Sequence, residues 1–97
     1  MLKEENKTFN PNKAVDDFNE KWFEFLAEGH YGLDIWCENP KLYEYLDKEF
    51  EQLTKIPEFK YYQIKLKFNM ARFYADGIST DKMFELEDNI NRLCKNG

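Results

Sequence analysis

The sequence has few of the residues from which catalytic and metal centres are commonly built. It contains one histidine and two cysteines in 97 residues, and neither a phosphate-binding glycine loop nor a nucleophile motif is present. Catalysis at His30 would need a positioned nucleophile or an orienting carboxylate, and a metal site would need three or four suitably spaced ligands. The sequence therefore predicts no enzymatic activity and no cofactor, with structural roles for His30 and Cys37.

Long hydrophobic runs are also missing. No apolar stretch approaches the roughly 18 residues that a membrane-spanning helix needs. The N-terminal segment MLKEENKTFNPNK lacks the apolar region of a signal peptide. Two cysteines without an export signal indicate reduced thiols. These absences predict a cytoplasmic location and no membrane partner.

Aromatic residues are plentiful, at 18% of the chain, and charged residues make up 34%, with a net charge of −5. A chain of this length buries only about 60–65% of its unfolded surface, so large rings help to build a small core. The composition predicts one folded domain over residues 10–97. Residues 1–9 are polar and without periodicity, and are predicted to form a flexible N-terminal arm.

Three segments carry apolar residues at helical spacing. The first helix is predicted over residues 11–28, the second over residues 40–55, and the third from Ser79 or Thr80. An asparagine followed by a proline begins each of the first two, which suits a helix cap and first turn. The apolar stripes are interpreted as core and the charged faces as solvated. Phe23 lies outside the first stripe and is the candidate for an exposed contact.

The densest apolar stretch, residues 58–76, alternates between apolar and polar side chains and predicts a β-hairpin. Asn69 and Met70 are predicted at its tip, since asparagine tolerates left-handed backbone. This tip predicts three facing pairs: Phe68 with Ala71, Leu66 with Phe73, and Ile64 with Ala75. A helix is the alternative, because Tyr62, Leu66, Met70 and Phe73 also share helical spacing. Residues 33–36 are predicted as a third, edge strand, and the fold class is α+β, with three helices packed on a small antiparallel sheet.

Part of this stretch, QIKLKFNMARFY, resembles the motif Q-(I/V)-K-E-K-F-G-x-L-R-F-Y of a family of small phage and prophage proteins whose activity is not established. Leu66, Asn69 and Ala71 depart from it; the matching residues are Gln63, Ile64, Lys65, Lys67, Phe68, Arg72, Phe73 and Tyr74. The resemblance implies a strand, a turn and a returning strand, followed by a helix. Family segments C-G-D-G-W and C-E-x-C-G keep only Cys37 and Cys94 here, so the metal knuckle suggested by the second is not expected.

The predicted function is stoichiometric protein binding by a small accessory protein. The resemblance implies a host or phage protein as partner, for example a host enzyme or a CRISPR-type defence complex that is inhibited, and hence the host cytoplasm as the location. The predicted partner-binding residues lie on the polar face of the hairpin: Tyr61, Lys65, Lys67, Arg72 and Tyr74. The alternative is a nucleic-acid-binding module that uses the same basic and aromatic face. The net charge of −5 disfavours that alternative, because phosphate binding needs clustered cations.

Overall fold

The computed structural model describes residues 9–95. In chain order the elements are α1 (Pro11–Lys21), β1 (Gly32–Asp34), α2 (Pro40–Leu53), β2 (Lys60–Lys67), β3 (Met70–Asp76) and α3 (Thr80–Lys95), with a one-turn 3₁₀ helix, Phe23–Phe25, after α1. The predicted arm, residues 1–9, lies outside the described residues except for Phe9. The Phe9 ring packs against Tyr43, with 5.6 Å between the ring centroids.

The predicted α+β class is confirmed, with three helices and one three-stranded sheet within the described part of the chain. The strand order is β1-β2-β3, and β2 and β3 form the predicted antiparallel hairpin. The edge strand β1 pairs with β2 in parallel, so the sheet is mixed and not wholly antiparallel. A parallel neighbour needs a long crossover connection, and here α2 lies within that connection.

The helix starts are confirmed and one helix end is wrong. Asn10 and Asn39 cap α1 and α2, each accepting a hydrogen bond from the backbone two residues on, at 3.0 and 3.1 Å. Helix α1 ends at Lys21 and not at residue 28. The chain leaves the helix because Leu26 bridges to Tyr61 and the Ala27 N–H donates to the Tyr61 carbonyl at 2.9 Å. Pairing with the sheet thus replaces continuation of the helix.

The hairpin tip lies one residue earlier than predicted. Phe68 and Asn69 form the turn, with φ of 55° and 63°, and Lys67 pairs with Met70 across it. Positive φ at both central residues is the geometry of a type I′ turn, whose twist matches that of the strands. Leu66 consequently pairs with Ala71, and Ile64 pairs with Phe73. The three predicted pairs are wrong by this shift, and Phe68 is exposed at the tip.

A bulge at Tyr62 changes which residues of β2 face inward. The register shifts between Tyr61, which pairs with Ala75, and Gln63, which pairs with Tyr74. A bulge adds one residue to one strand and reverses its alternation. Tyr61 and Ile64 therefore both face the core and are fully buried. The prediction that Tyr61 lies on the polar face is wrong, because periodicity alone does not locate a bulge.

The core lies between the inner face of the sheet and the helices, and Phe50 of α2 is at its centre. The Phe50 ring contacts four aromatic rings edge-on or tilted at centroid distances below 6 Å: Phe18, Tyr61, Phe59 and Trp22. Edge-to-face pairs of this kind stabilise beyond the area they bury. The opposite face of the sheet has no described helix packed on it, and that face carries the candidate site.

Candidate partner-binding surface

Four of the five predicted partner-binding residues lie together on the outer face of the sheet. Lys65 pairs with Arg72 across the two strands, and Tyr74 and Lys67 occupy the neighbouring positions of that face. The Lys65 Nζ lies 6.0 Å from the centroid of the Tyr74 ring, so the two side chains approach each other. We call Lys65, Lys67, Arg72 and Tyr74 the basic sheet face. Tyr61, the fifth predicted residue, is buried on the other side.

Within the described residues, the cations of the basic sheet face form no salt bridge with a carboxylate. Among residues 9–95, every salt bridge within 4.0 Å involves Lys13, Lys21 or Lys82. Lys65 and Arg72 instead face each other directly, and like charges in that position destabilise a sheet by a few tenths of a kcal/mol or more. An Arg72 guanidinium nitrogen donates to the adjacent Ala71 carbonyl at 3.2 Å, and to no other group among residues 9–95. The Asp34 carboxylate, which lies beside Lys65 in the register of β1 and β2, accepts a hydrogen bond from the Gln63 amide at 3.3 Å and forms no salt bridge with these cations.

The turn adds an apolar tip to this face. Phe68 is 87% exposed, and Met70, which pairs with Lys67 on this face, is 49% exposed. The Lys67 Nζ lies 5.9 Å from the centroid of the Phe68 ring. A bulky residue with positive φ is an outlier that costs on the order of 1–2 kcal/mol relative to glycine. The alternation predicts Phe68 on the apolar face, which is wrong. A type I′ turn that ends at Asn69 requires a left-handed residue 68 and therefore places Phe68 in the turn.

Both edges of the sheet are occupied by polar side chains. At the β1 edge, Asn19 of α1 makes two hydrogen bonds with the backbone of Leu33: its amide nitrogen donates to the carbonyl at 2.9 Å, and its oxygen accepts from the N–H at 2.8 Å. At the β3 edge, the Ala71 N–H donates to Asn91 at 2.7 Å, and the Phe73 N–H donates to Glu87 at 2.9 Å. Open edges are where a foreign strand adds to a sheet. These side chains occupy the backbone groups of Leu33, Ala71 and Phe73 that an added strand would otherwise pair with.

A surface cavity between two helices has a mixed polar and apolar lining without a catalytic arrangement. It measures about 830 Å³ and lies between the start of α2 and the end of α3, beside Lys41, Tyr45, Asn89 and Arg92. Burial raises the pKa of the Tyr45 hydroxyl, which accepts a hydrogen bond from the Asn89 amide at 2.9 Å. A phenol held neutral in this way is a poor base. Nothing in this lining pairs a nucleophile with a base.

The single histidine, His30, is exposed to solvent. Its ring packs edge-on against the Tyr62 ring, with 4.7 Å between the ring centroids. Across residues 9–95, no group of three or more histidine, cysteine, aspartate or glutamate side chains is positioned to hold a metal ion. Over the same residues, no helix combines the length and apolar character needed to cross a bilayer.

Comparisons with protein-family models, with curated proteins and with solved structures give no match to this chain. The fold and the site define an α+β domain with a basic, aromatic outer sheet face and an exposed aromatic turn. Function must therefore be argued from this surface.

Proposed function

We propose that this protein acts by stoichiometric protein binding through the basic sheet face and the Phe68 tip. The observation that carries the proposal is the combination of a strained, exposed phenylalanine with three cations that form no salt bridge within 4.0 Å with a described carboxylate. The left-handed backbone of Phe68 and the facing of Lys65 and Arg72 each cost the fold free energy. Aromatic and arginine side chains often dominate binding energy, because they bury a large area and form directional hydrogen bonds.

The charge of the surface suggests the chemistry of the partner. Lys65, Lys67 and Arg72 lie together on a molecule whose net charge is −5, so the two sides of the protein differ in sign. A partner with an acidic patch would be attracted to this face and repelled by the helical side, which would orient it during association. An apolar recess beside that acidic patch would accommodate Phe68.

The resemblance to small phage and prophage proteins motivates a narrower form of the proposal. In that form the partner is a host or phage protein, and binding inhibits a host enzyme or a defence complex such as a CRISPR effector. This narrower form rests on the matching residues of the hairpin motif, among them Lys65, Lys67 and Arg72.

Nucleic-acid binding is the second candidate, favoured by one observation. Tyr74 is 45% exposed beside Lys65, and an aromatic ring flanked by cations can stack on a base while the cations contact phosphate. The net negative charge opposes this reading. Titration of a fluorescent single-stranded oligonucleotide at moderate salt separates the two candidates, because only the second predicts retained affinity.

A comparative capture experiment tests the protein-binding proposal. Wild-type protein, Arg72→Ala and Phe68→Ala serve as baits in host lysate, with Arg92→Ala and Phe84→Ala as matched controls on α3. Phe84 is also exposed, so its removal costs a similar apolar area. The proposal predicts a protein that is recovered stoichiometrically by wild type and both controls, and lost with both hairpin variants. A protein lost equally with the controls would place the binding surface elsewhere.

A further inference from the structure

The fold brings the two cysteines together, although they are far apart in the sequence. Cys37 follows β1 and is buried in the core, and Cys94 lies in the last turn of α3, half-buried against the same core. Burial raises the pKa of the Cys94 thiol, and the Cys37 thiol lies close enough to add to that shift. No short motif predicts this proximity, because the two cysteines lie 57 positions apart and in different parts of the fold.

Hydrogen bonds hold the backbone on both sides of this thiol pair. The Cys37 N–H donates to the Tyr43 hydroxyl at 2.9 Å, and that hydroxyl donates to the Ile35 carbonyl at 2.6 Å. The Asn39 side-chain amide donates to the Leu93 carbonyl at 3.0 Å. The last bond joins a residue two positions after Cys37 to the residue before Cys94. Hydrogen bonds thus flank both cysteines and tie together the two segments that carry them.

The surroundings of the pair favour disulfide chemistry over metal binding. Two sulfur ligands are fewer than the three or four protein ligands of a zinc site, and no third candidate ligand joins them in the part of the chain that the structure describes. Burial raises the pKa of the Cys94 thiol to about 12, and the neighbouring Cys37 thiol adds to the shift. The thiolate is the reactive form of cysteine, so the pair reacts slowly near neutral pH and faster as the pH rises.

We propose that Cys37 and Cys94 form a dithiol site that a small-molecule disulfide, such as oxidised glutathione, converts into an intramolecular disulfide. Cys94 is the more exposed thiol and reacts first: its thiolate attacks one glutathione sulfur, the glutathione S–S bond breaks, and one glutathione thiolate leaves. The Cys37 thiolate then attacks the Cys94 sulfur of the mixed disulfide and expels the second glutathione thiolate. The two protons lost by the cysteines are taken up by the two released glutathiones, so the protein is oxidised and the reagent is reduced.

The disulfide would tie the end of α3 to the connection between β1 and α2. It would close a loop that contains α2, β2, β3 and most of α3. A cross-link across so long a loop restricts the unfolded chain and so stabilises the fold. The basic sheet face lies on the other side of the sheet and is left unchanged. The site is thus independent of the proposed partner surface.

The test uses the purified full chain, incubated with oxidised glutathione near neutral pH and about two pH units higher. Acid-quenched samples are analysed by intact mass and on a non-reducing gel. The expected product is a monomer lighter by two hydrogens, carrying no glutathione, formed faster at the higher pH. Its melting temperature should rise on the order of 10 °C and return to the starting value after reduction.

Two single variants serve as controls, with circular dichroism to establish that each is folded. Cys37→Ala should gain one glutathione at Cys94 and keep it, because the resolving thiol is gone. Cys94→Ala should react much more slowly, because Cys37 is buried. The proposal is overturned if wild type retains one or two glutathiones, forms a covalent dimer, or remains fully reduced at the higher pH.

Discussion

The two faces of the sheet differ in how their side chains are packed: those of the inner face are buried against other rings, whereas those of the outer face are exposed or half-buried. Phe73 and Arg72 are consecutive residues of β3, yet Phe73 is fully buried beside Phe50, whereas Arg72 lies on the open face opposite Lys65. The inner face holds the fold together through packed rings. The outer face carries cations that repel each other and a strained tip, and these features do not hold the fold together. Stability thus accounts for one face only, and the composition of the other face calls for a separate explanation, for which we propose binding.

Removal of the central ring of the inner face should have the largest effect. Phe50→Ala deletes a fully buried side chain that contacts rings from α1, the sheet and the segment before it. A cavity of this kind costs about 3–5 kcal/mol of unfolding free energy, measured by chemical denaturation. Phe50→Leu, which refills part of the space, should cost less. Equal losses for the two variants would contradict the role assigned to ring packing.

The β1 edge should be the next most sensitive place. Asn19→Ala removes both hydrogen bonds to Leu33 and leaves a buried N–H and carbonyl without a partner. The expected cost is about 2–3 kcal/mol. Asn12→Ala, an exposed amide on the same helix, is the control and should change the unfolding free energy by less than about 0.5 kcal/mol. A loss as small as that of the control would show that solvent can replace Asn19 at this edge.

Alkaline pH should lower the free energy of unfolding through the buried Tyr61 hydroxyl on the inner face. Burial raises the pKa of the Tyr61 hydroxyl far above its ordinary value, so the folded protein keeps this phenol neutral where the unfolded chain ionises it. Its contribution to stability is complete below about pH 10 and declines above it by about 1.4 kcal/mol per pH unit. Tyr61→Phe should remove this part of the slope in denaturation curves taken across that range. An unchanged slope would mean that the hydroxyl ionises without unfolding.

Substitution in the turn, unlike the substitutions above, should increase the stability of the fold. Phe68→Gly relieves a left-handed phenylalanine that makes few contacts, and should stabilise the fold by about 0.5–1 kcal/mol. The melting temperature would rise by several degrees, since about 1 kcal/mol corresponds to roughly 4–8 °C in a domain of this size. Asn69→Gly is the matched control and should gain less, because asparagine tolerates this conformation. A lower melting temperature for Phe68→Gly would mean that the ring serves the fold.

Local signals predicted much of this molecule, and long-range packing determined the rest. The caps at Asn10 and Asn39 and the outward positions of Lys65 and Arg72 follow from short spacings along the chain. The bulge at Tyr62 and the parallel pairing of β1 do not, because each depends on segments that meet only after folding. The edge contacts of Asn19 have the same origin. Burial of Tyr61 was missed for this reason, since one inserted residue reverses the strand alternation beyond it.

The most direct test of the division between the two faces is the affinity of Arg72→Ala for the protein recovered by capture, measured alongside its melting temperature. The account predicts a dissociation constant at least about 30-fold higher than that of wild type, equivalent to about 2 kcal/mol. It also predicts an unfolding free energy within about 0.5 kcal/mol of wild type. Wild-type affinity in a folded variant would contradict the proposed binding surface. A large drop in stability would instead assign Arg72 to the fold and remove the contrast between the two faces.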